Sequence, residues 1–190
     1  DIVAQAKTYE ENGAAMISVL TDQVFFKGDI DYLREISSQV TIPTLAKDFI
    51  IDEKQIVRSS NAGATVILLI VAALPEARLK ELYDFATGLG LEVLVETHNL
   101  AELEIAHRIG ADIIGVNNRN LVTFETDLNT SLELSTHFKD QPVYISESAI
   151  FNGEDAALVA PYFNGILVGT ALMTAGDVAE KVKELQIDKG

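Results

Sequence analysis

An α/β fold of alternating strands and helices is predicted by three observations. Seven short apolar runs, most ending in a polar residue, alternate with amphipathic stretches at intervals of roughly 20 to 30 residues, the rhythm of parallel βαβ units. Most of the runs lack strict apolar–polar alternation, as strands covered on both faces should. Gly13, Gly63, Gly90 and Gly110 each stand after an amphipathic stretch and before an apolar run, where a helix C-cap belongs.

Taken in order, a helix over about 1–11 ends at Gly13 and leads into a strand at 15–20. A helix at 29–39 precedes the strand Pro43-Thr44-Leu45-Ala46-Lys47, and a helix at 53–62 closes at Gly63 before the strand at 65–70. Pro75 suits the first turn of a helix over 75–88, which Gly90 separates from the strand Leu91 to Glu96. Asn99 can cap the next helix, 99–109, where Leu100, Leu103, Ile105 and Ala106 form an apolar stripe opposite Glu102, Glu104 and Arg108. Strands at 112–116, 143–147 and 165–169 then alternate with helices at 128–138, 153–160 and 176–186.

Seven strands against eight helices is the informative count. A closed (β/α)8 barrel, the TIM barrel, needs eight of each and typically ~250 residues. The expectation is therefore a single-domain TIM barrel over 1–190 whose first strand and N-terminal extension are missing from this sequence. A doubly wound open sheet is the alternative, but no early strand is followed by a G-x-G-x-x-G turn.

Composition narrows the function. The chain has 190 residues, 14 basic and 29 acidic, a formal net charge of −15, and no Cys or Trp. Nucleic acid is not expected as a partner, because phosphate contacts need a basic surface. The longest apolar run, Val66 to Leu74, is far short of the ~18 residues of a membrane span, and Asp1-Ile2-Val3-Ala4 does not begin a signal peptide. Without thiols, the cytoplasm is the default compartment.

In a barrel of this kind function lies at the C-terminal ends of the strands. Those positions hold Lys47-Asp48-Phe49, Glu96-Thr97-His98, Asn117-Asn118-Arg119, Ser146-Glu147-Ser148 and Gly169-Thr170. Charges at apolar strand ends need pairing or a purpose. One reading is a salt-bridge layer in which Lys47 pairs with Glu96 or Glu147. The other is proton transfer, with Lys47 as general acid and a carboxylate taking a proton in return. Gly169 and Thr170, opening a short helix, suit an oxyanion, with Ser148-Ala149-Ile150 as the other half of a phosphate cup. Phe25, Phe26 and Phe49 form either a hydrophobic plug or a wall for an aromatic ring. His98 with Glu96 lacks a third ligand in register, so it reads as a loop or helix-start residue, and no metal site is expected. His107 and His137 fall on helices, at the surface, and no Ser-His-Asp set is recognisable.

At these residues the sequence resembles the indole-3-glycerol phosphate synthase family of tryptophan biosynthesis. The carrying segments are Ile17-Ser18-Val19-Leu20-Thr21-Asp22, Phe26-Lys27-Gly28, Lys47-Asp48-Phe49-Ile50-Ile51-Asp52, Leu68-Leu69-Ile70-Val71 and Leu94-Val95-Glu96. They continue with Gly115-Val116-Asn117-Asn118-Arg119-Asn120-Leu121, Ser146-Glu147-Ser148 and Val168-Gly169-Thr170-Ala171-Leu172-Met173, in order over essentially the whole chain. The resemblance implies a cofactor-free carboxy-lyase. It would convert 1-(2-carboxyphenylamino)-1-deoxyribulose 5-phosphate into indole-3-glycerol phosphate, carbon dioxide and water. By the same resemblance Lys47 is a proton donor and Glu96 the catalytic carboxylate, and Asn117 and Glu147 orient hydroxyls and stabilise positive charge. Arg119, Ser148, Ala149, Gly169 and Thr170 fall in the substrate- and phosphate-binding set, and Phe26 and Phe49 wall the anthranilate ring.

Two departures qualify the match. The family's first strand carries a Glu-x-Lys pair and a Ser-Pro-Ser loop with no counterpart here, so this chain alone is expected to be impaired. Ala149 stands where the family usually has Gly; if φ is positive there, Ala costs of order 1 kcal/mol. The expected partner is a small phosphorylated substrate, not a membrane, with the protein a monomer or associated with other tryptophan-pathway enzymes. The alternatives are a barrel fragment that only binds phosphate ligands, and another phosphate-binding barrel such as phosphoribosylanthranilate isomerase, against which the Lys47, Glu96, Asn117 and Glu147 set argues.

Overall fold

The computed structural model describes residues 1–188. Seven parallel strands are ordered strictly as they occur in the chain: β1 (Ile17–Leu20), β2 (Thr44–Lys47), β3 (Val66–Ile70), β4 (Glu92–Thr97), β5 (Ile113–Asn117), β6 (Val143–Glu147) and β7 (Gly165–Leu167). That order contains no reversal, which a doubly wound sheet requires, so the doubly wound alternative is excluded. The helices are α1 (Ile2–Glu11), α2 (Ile30–Ser37), α3 (Glu53–Asn61), α4 (Glu76–Gly88), α5 (Leu100–Arg108), α6 (Asn129–Ser135), α7 (Gly153–Val159), α8 (Thr170–Met173) and α9 (Val178–Leu185). Each expected helix is present. The single turn of α8 is the short helix expected at Gly169 and Thr170, and a 3-10 turn over Val71–Ala73 follows β3.

Boundaries follow local chemistry. Gly13, Gly63, Gly90 and Gly110 all have positive φ, between 77° and 102°, the left-handed backbone that closes a helix at little steric cost in glycine. Asn99 Oδ1 accepts from the Glu102 N–H and starts α5, while Asp52 and Gln55 form a reciprocal capping box on α3. Pro75 stands one residue ahead of α4, at its N-cap.

Contacts divide the chain into two compact units, residues 1–94 and 95–190. In the first, Ile17 and Val19 of β1 pack with Ala6, Leu33, Ile36, Ala46, Ala62 and Ala64. β3 is buried at all five positions, as a parallel strand covered on both faces must be. In the second, Leu103, Ala106, Ile114, Val116, Val159 and Phe163 are buried, and Phe138 stacks on Tyr144 and meets Phe163 edge-on. Each fully buried Leu, Ile or Phe contributes roughly 1.5–3 kcal/mol relative to exposure. Among the described residues no helix is long and apolar enough to cross a membrane.

Candidate functional site

In the first unit the strand ends assemble an ammonium group on an aromatic cluster. Lys47 closes β2, paired in register with Leu20 of β1. Its Nζ lies 5.4 Å from the centre of the Phe26 ring, within cation–π range. Phe26 stacks on Phe49 at 5.0 Å and 11°, and Phe25 meets Phe49 edge-on at 5.1 Å. Lys47, Phe26 and Phe49 are therefore brought together, and Phe25, 72% exposed, stands at their rim.

Polar bonds hold both loops that carry these rings. The Thr21 hydroxyl donates to Asp48 Oδ2 at 2.9 Å, and the Phe49 N–H donates to Asp48 Oδ1 at 2.8 Å. Gln55 Nε2 donates to the Phe49 carbonyl at 2.9 Å, and Gln55 Oε1 accepts from the N–H groups of Ile51 and Asp52. Asp22 Oδ2 accepts from the N–H groups of Phe25 and Phe26. Asp48 and Gln55 position the aromatic wall; the sequence marks Asp48 as a strand-end residue without a role and does not mark Gln55.

In the second unit the ends of β4, β5 and β6 are buried and polar. Glu96 is 2% exposed and Glu147 1%. Asn117 Nδ2 donates to Glu96 Oε1 at 3.0 Å, Asn117 Oδ1 accepts from the Arg119 N–H, and Asn117 stands opposite Glu147 in the β5–β6 register. His98 lies between two carboxylates: Nε2 is 3.2 Å from Glu96 Oε1, and Nδ1 is 3.0 Å from Glu102 Oε1. Burial pulls the imidazole down, but the hydrogen bond that Nδ1 donates to Glu102, the close approach of Glu96 and the charges of both carboxylates outweigh it and raise it from 6.5 to about 9. At neutral pH His98 is an imidazolium. The sequence reading of His98 as a helix-start residue holds for its place in the chain, just before α5, but misses this bridge. The spacing Glu96, His98, Glu102 was the available signal, since i+4 from a helix start returns a carboxylate to the ring.

Asn118 is a further strand-end residue to which the sequence gives no role. It is 3% exposed. Its amide donates to Ser146 Oγ (3.2 Å) and to the Ser148 carbonyl (3.1 Å), and its Oδ1 accepts from the Ser131 N–H (2.9 Å) at the start of α6. This hub holds a turn in which two successive residues are left-handed, Ser148 at φ 64° and Ala149 at φ 61°. Ala149→Gly is expected to stabilise the protein by up to about 1 kcal/mol, because a Cβ is disfavoured in that conformation. Urea unfolding of the two variants checks this; an unchanged or lower midpoint would contradict it.

Arg119 is folded back on its own loop, where Nη1 donates to the Phe124 carbonyl at 3.1 Å. Gly169 and Thr170 are exposed beyond β7, with Gly169 as the N-cap of α8. A Cβ built at Gly169 would meet nothing within 4 Å, so protein packing does not demand glycine there. A shallow cavity of about 290 Å³ is lined by Leu100, Glu104, His107, Arg108, His137 and Lys139, and contains none of the expected site residues. His107 is only half-exposed and its Nε2 lies 2.8 Å from the Tyr144 hydroxyl, whereas His137 is exposed just past the end of α6. Among the described residues no group of three or more His, Asp or Glu is placed to hold a metal ion.

Together these features define a parallel α/β protein with ionisable groups set at the carboxyl ends of its strands. A crystal structure of 3-hexulose-6-phosphate synthase shares the fold, with TM-score 0.79 at 15% identity over 97% of this chain and 91% of that one. So does thiamine phosphate pyrophosphorylase from Pyrococcus furiosus, with TM-score 0.72 at 19% identity, covering 96% of this chain and 86% of that one. The indole-3-glycerol phosphate synthase family model matches residues 1–185, and the chain belongs to that family. Relatives of that name from Streptococcus thermophilus and Streptococcus sanguinis are 91% and 83% identical over 190 residues. The match covers 100% of this chain and 74% of each relative.

Proposed function

We infer that the protein carries out the reaction of its family, the conversion of 1-(2-carboxyphenylamino)-1-deoxyribulose 5-phosphate to indole-3-glycerol phosphate, carbon dioxide and water. The observation that carries the reading is the buried pair at the ends of β4 and β5, Glu96 with the Asn117 amide on its Oε1, in a chain 91% identical to relatives of that name.

The reaction needs proton transfer and stabilisation of charge at named atoms. The ring carbon bearing the carboxylate bonds to the ribulose carbonyl carbon, and the carbonyl oxygen gains charge. Lys47 gives that oxygen a proton. Loss of carbon dioxide restores the ring; Glu96 then accepts a proton from the carbon between the nitrogen and the carbinol carbon, and the hydroxyl leaves as water with that proton as the ring double bond forms. Asn117 and Glu147 orient hydroxyls and face the positive charge that develops on nitrogen. Phe26 and Phe49 pack the anthranilate ring, and Arg119, Ser148, Ala149, Gly169 and Thr170 bind the substrate and its phosphate. The open space around Gly169 supports the last assignment, since a Cβ would occupy the approach to the backbone N–H groups.

In this reading the seven strands are part of a closed (β/α)8 barrel. Strand order without reversal supports it. A first strand carrying the family's Glu-x-Lys pair completes the barrel in this reading, and the chain spans 74% of the relatives' length. The net charge of −15 and the absence of thiols favour a cytoplasmic monomer acting on a small phosphate ester. The test is fluorescence-monitored turnover of the carboxyphenylamino-deoxyribulose phosphate by the protein as its cell makes it. Growth of indole emission is expected; its absence at saturating substrate would overturn the assignment.

A further inference from the structure

We propose that His98 is a positioning residue for Glu96, an imidazolium strap that ties the carboxylate at the end of β4 to the first turn of α5. The proposal rests on the reading of Glu96 as proton acceptor and assigns a role to a residue outside that machinery.

The geometry is a continuous chain of polar contacts. Glu96 Oε1 lies 3.2 Å from His98 Nε2, and His98 Nδ1 lies 3.0 Å from Glu102 Oε1. Glu102 is itself fixed twice: its N–H donates to Asn99 Oδ1 at 2.9 Å, and its Oε2 accepts from Asn99 Nδ2 at 2.7 Å. Side-chain exposures of 2%, 11% and 14% for Glu96, His98 and Glu102 leave little solvent to screen the bridge. A neutral imidazole has one N–H and one lone pair, so it would turn that lone pair toward a carboxylate on one side. Only the doubly protonated ring satisfies both.

Two consequences follow for Glu96. A buried carboxylate tends to shed its charge, and a cation at this distance opposes that. Asn117 Nδ2 donates to the same Oε1 from β5, so one hydrogen bond and one charge contact from the His98 ring converge on a single oxygen and limit rotation of the group. The charged groups facing His98 are Glu96 from β4 and Glu102 from α5. Because the ring is raised from 6.5 to about 9, its contribution to stability is complete below about 6.5 and lost as the pH rises through about 9.

Two measurements test the strap, both on the protein as its cell makes it. In the first, NMR follows the imidazoles of His98, His107 and His137 with pH, and His98→Gln assigns the first. His98 is expected to titrate near 9 and to fall toward 6.5 in Glu96→Gln and in Glu102→Gln. Titration near 6.5 in the unmodified protein overturns the proposal. In the second, kcat and KM are measured against pH. His98→Gln is expected to lower kcat at pH 7 by about tenfold to a hundredfold, since a small misplacement of a reacting group costs up to about a hundredfold, with KM near the original value. The alkaline limb of kcat near 9 should disappear in His98→Gln and move to lower pH in Glu102→Gln, which touches no reacting group. A kcat profile unchanged by both substitutions overturns the positioning role even if the ring titrates near 9. If the unmodified protein makes no indole product, the role of Glu96 falls and the positioning role with it, whereas the imidazolium bridge is still decided by the titration.

Discussion

Lys47→Met is expected to reduce turnover by roughly a hundred- to ten-thousandfold while leaving the fold intact. Lys47 ends β2 over the Phe26 ring, and Met has a similar length and an apolar stem. What the substitution removes is the ammonium group: the proton donor, and a cation–π contact of about 0.5–1 kcal/mol. A thioether against aromatic rings recovers part of the second, so thermal unfolding should move by only a few degrees. Nothing replaces the first, and a positioned general acid is worth roughly a hundred- to ten-thousandfold in rate. Fluorescence turnover and a melting curve on the same preparation separate the two effects. Activity within threefold of the original would remove Lys47 from the mechanism.

The largest expected loss of stability comes from Gly28→Ala. A Cβ built at Gly28 falls 2.0 Å from the Leu20 carbonyl oxygen, 2.3 Å from its carbon and 2.8 Å from the Thr21 nitrogen. These are backbone atoms at the end of β1, so no rotamer relieves the clash. The approach is close because the chain turns back there, with the Gly28 N–H donating to the Asp22 carbonyl and the Asp29 N–H donating to the Leu20 carbonyl. Alanine must push the strand end and the loop apart. Overpacking costs about 1–3 kcal/mol, and a rigid backbone partner puts this site at the upper end. For a protein of this size that lowers Tm by roughly 6–12 °C. The displaced segment carries Phe25 and Phe26, so KM should rise as well. A variant as stable as the original would show that the turn can open without cost.

The elements were legible in the sequence because their punctuation is chemically unambiguous. Four glycines placed at helix ends turned out to be four left-handed caps, and Asn99 caps α5. The α6 region was harder: its expected span, 128–138, shortens to Asn129–Ser135. The following three residues tighten into i→i−3 bonds, with the N–H groups of Thr136, His137 and Phe138 donating to the carbonyls of Glu133, Leu134 and Ser135, and Phe138 packs against Tyr144 and Phe163. Among the expected site residues, Lys47, Phe26 and Phe49 form one cluster, and Glu96 and Asn117 are bonded. Arg119 has its guanidinium turned to its own loop. The roles of Asp48, Gln55 and Asn118 were not legible, because they depend on partners up to 30 residues away. A short polar side chain beside a strand end reads from sequence as an ordinary turn residue. His98 lay between the two cases, with both its carboxylates nearby in sequence but its meaning set by burial.

Asn118 also has a bearing on how the chain is made. Its side chain is buried with bonds to Ser131, Ser146 and Ser148, and synthesis must add 30 residues beyond it before the last of these exists. At roughly 5–20 residues per second on the ribosome, that is a wait of about 1.5–6 s. During that interval the amide cannot be sealed without losing hydrogen bonds to water, so the end of β5 stays hydrated until β6 has been made. The nascent chain can thus complete its first 94 residues well before the second unit can close.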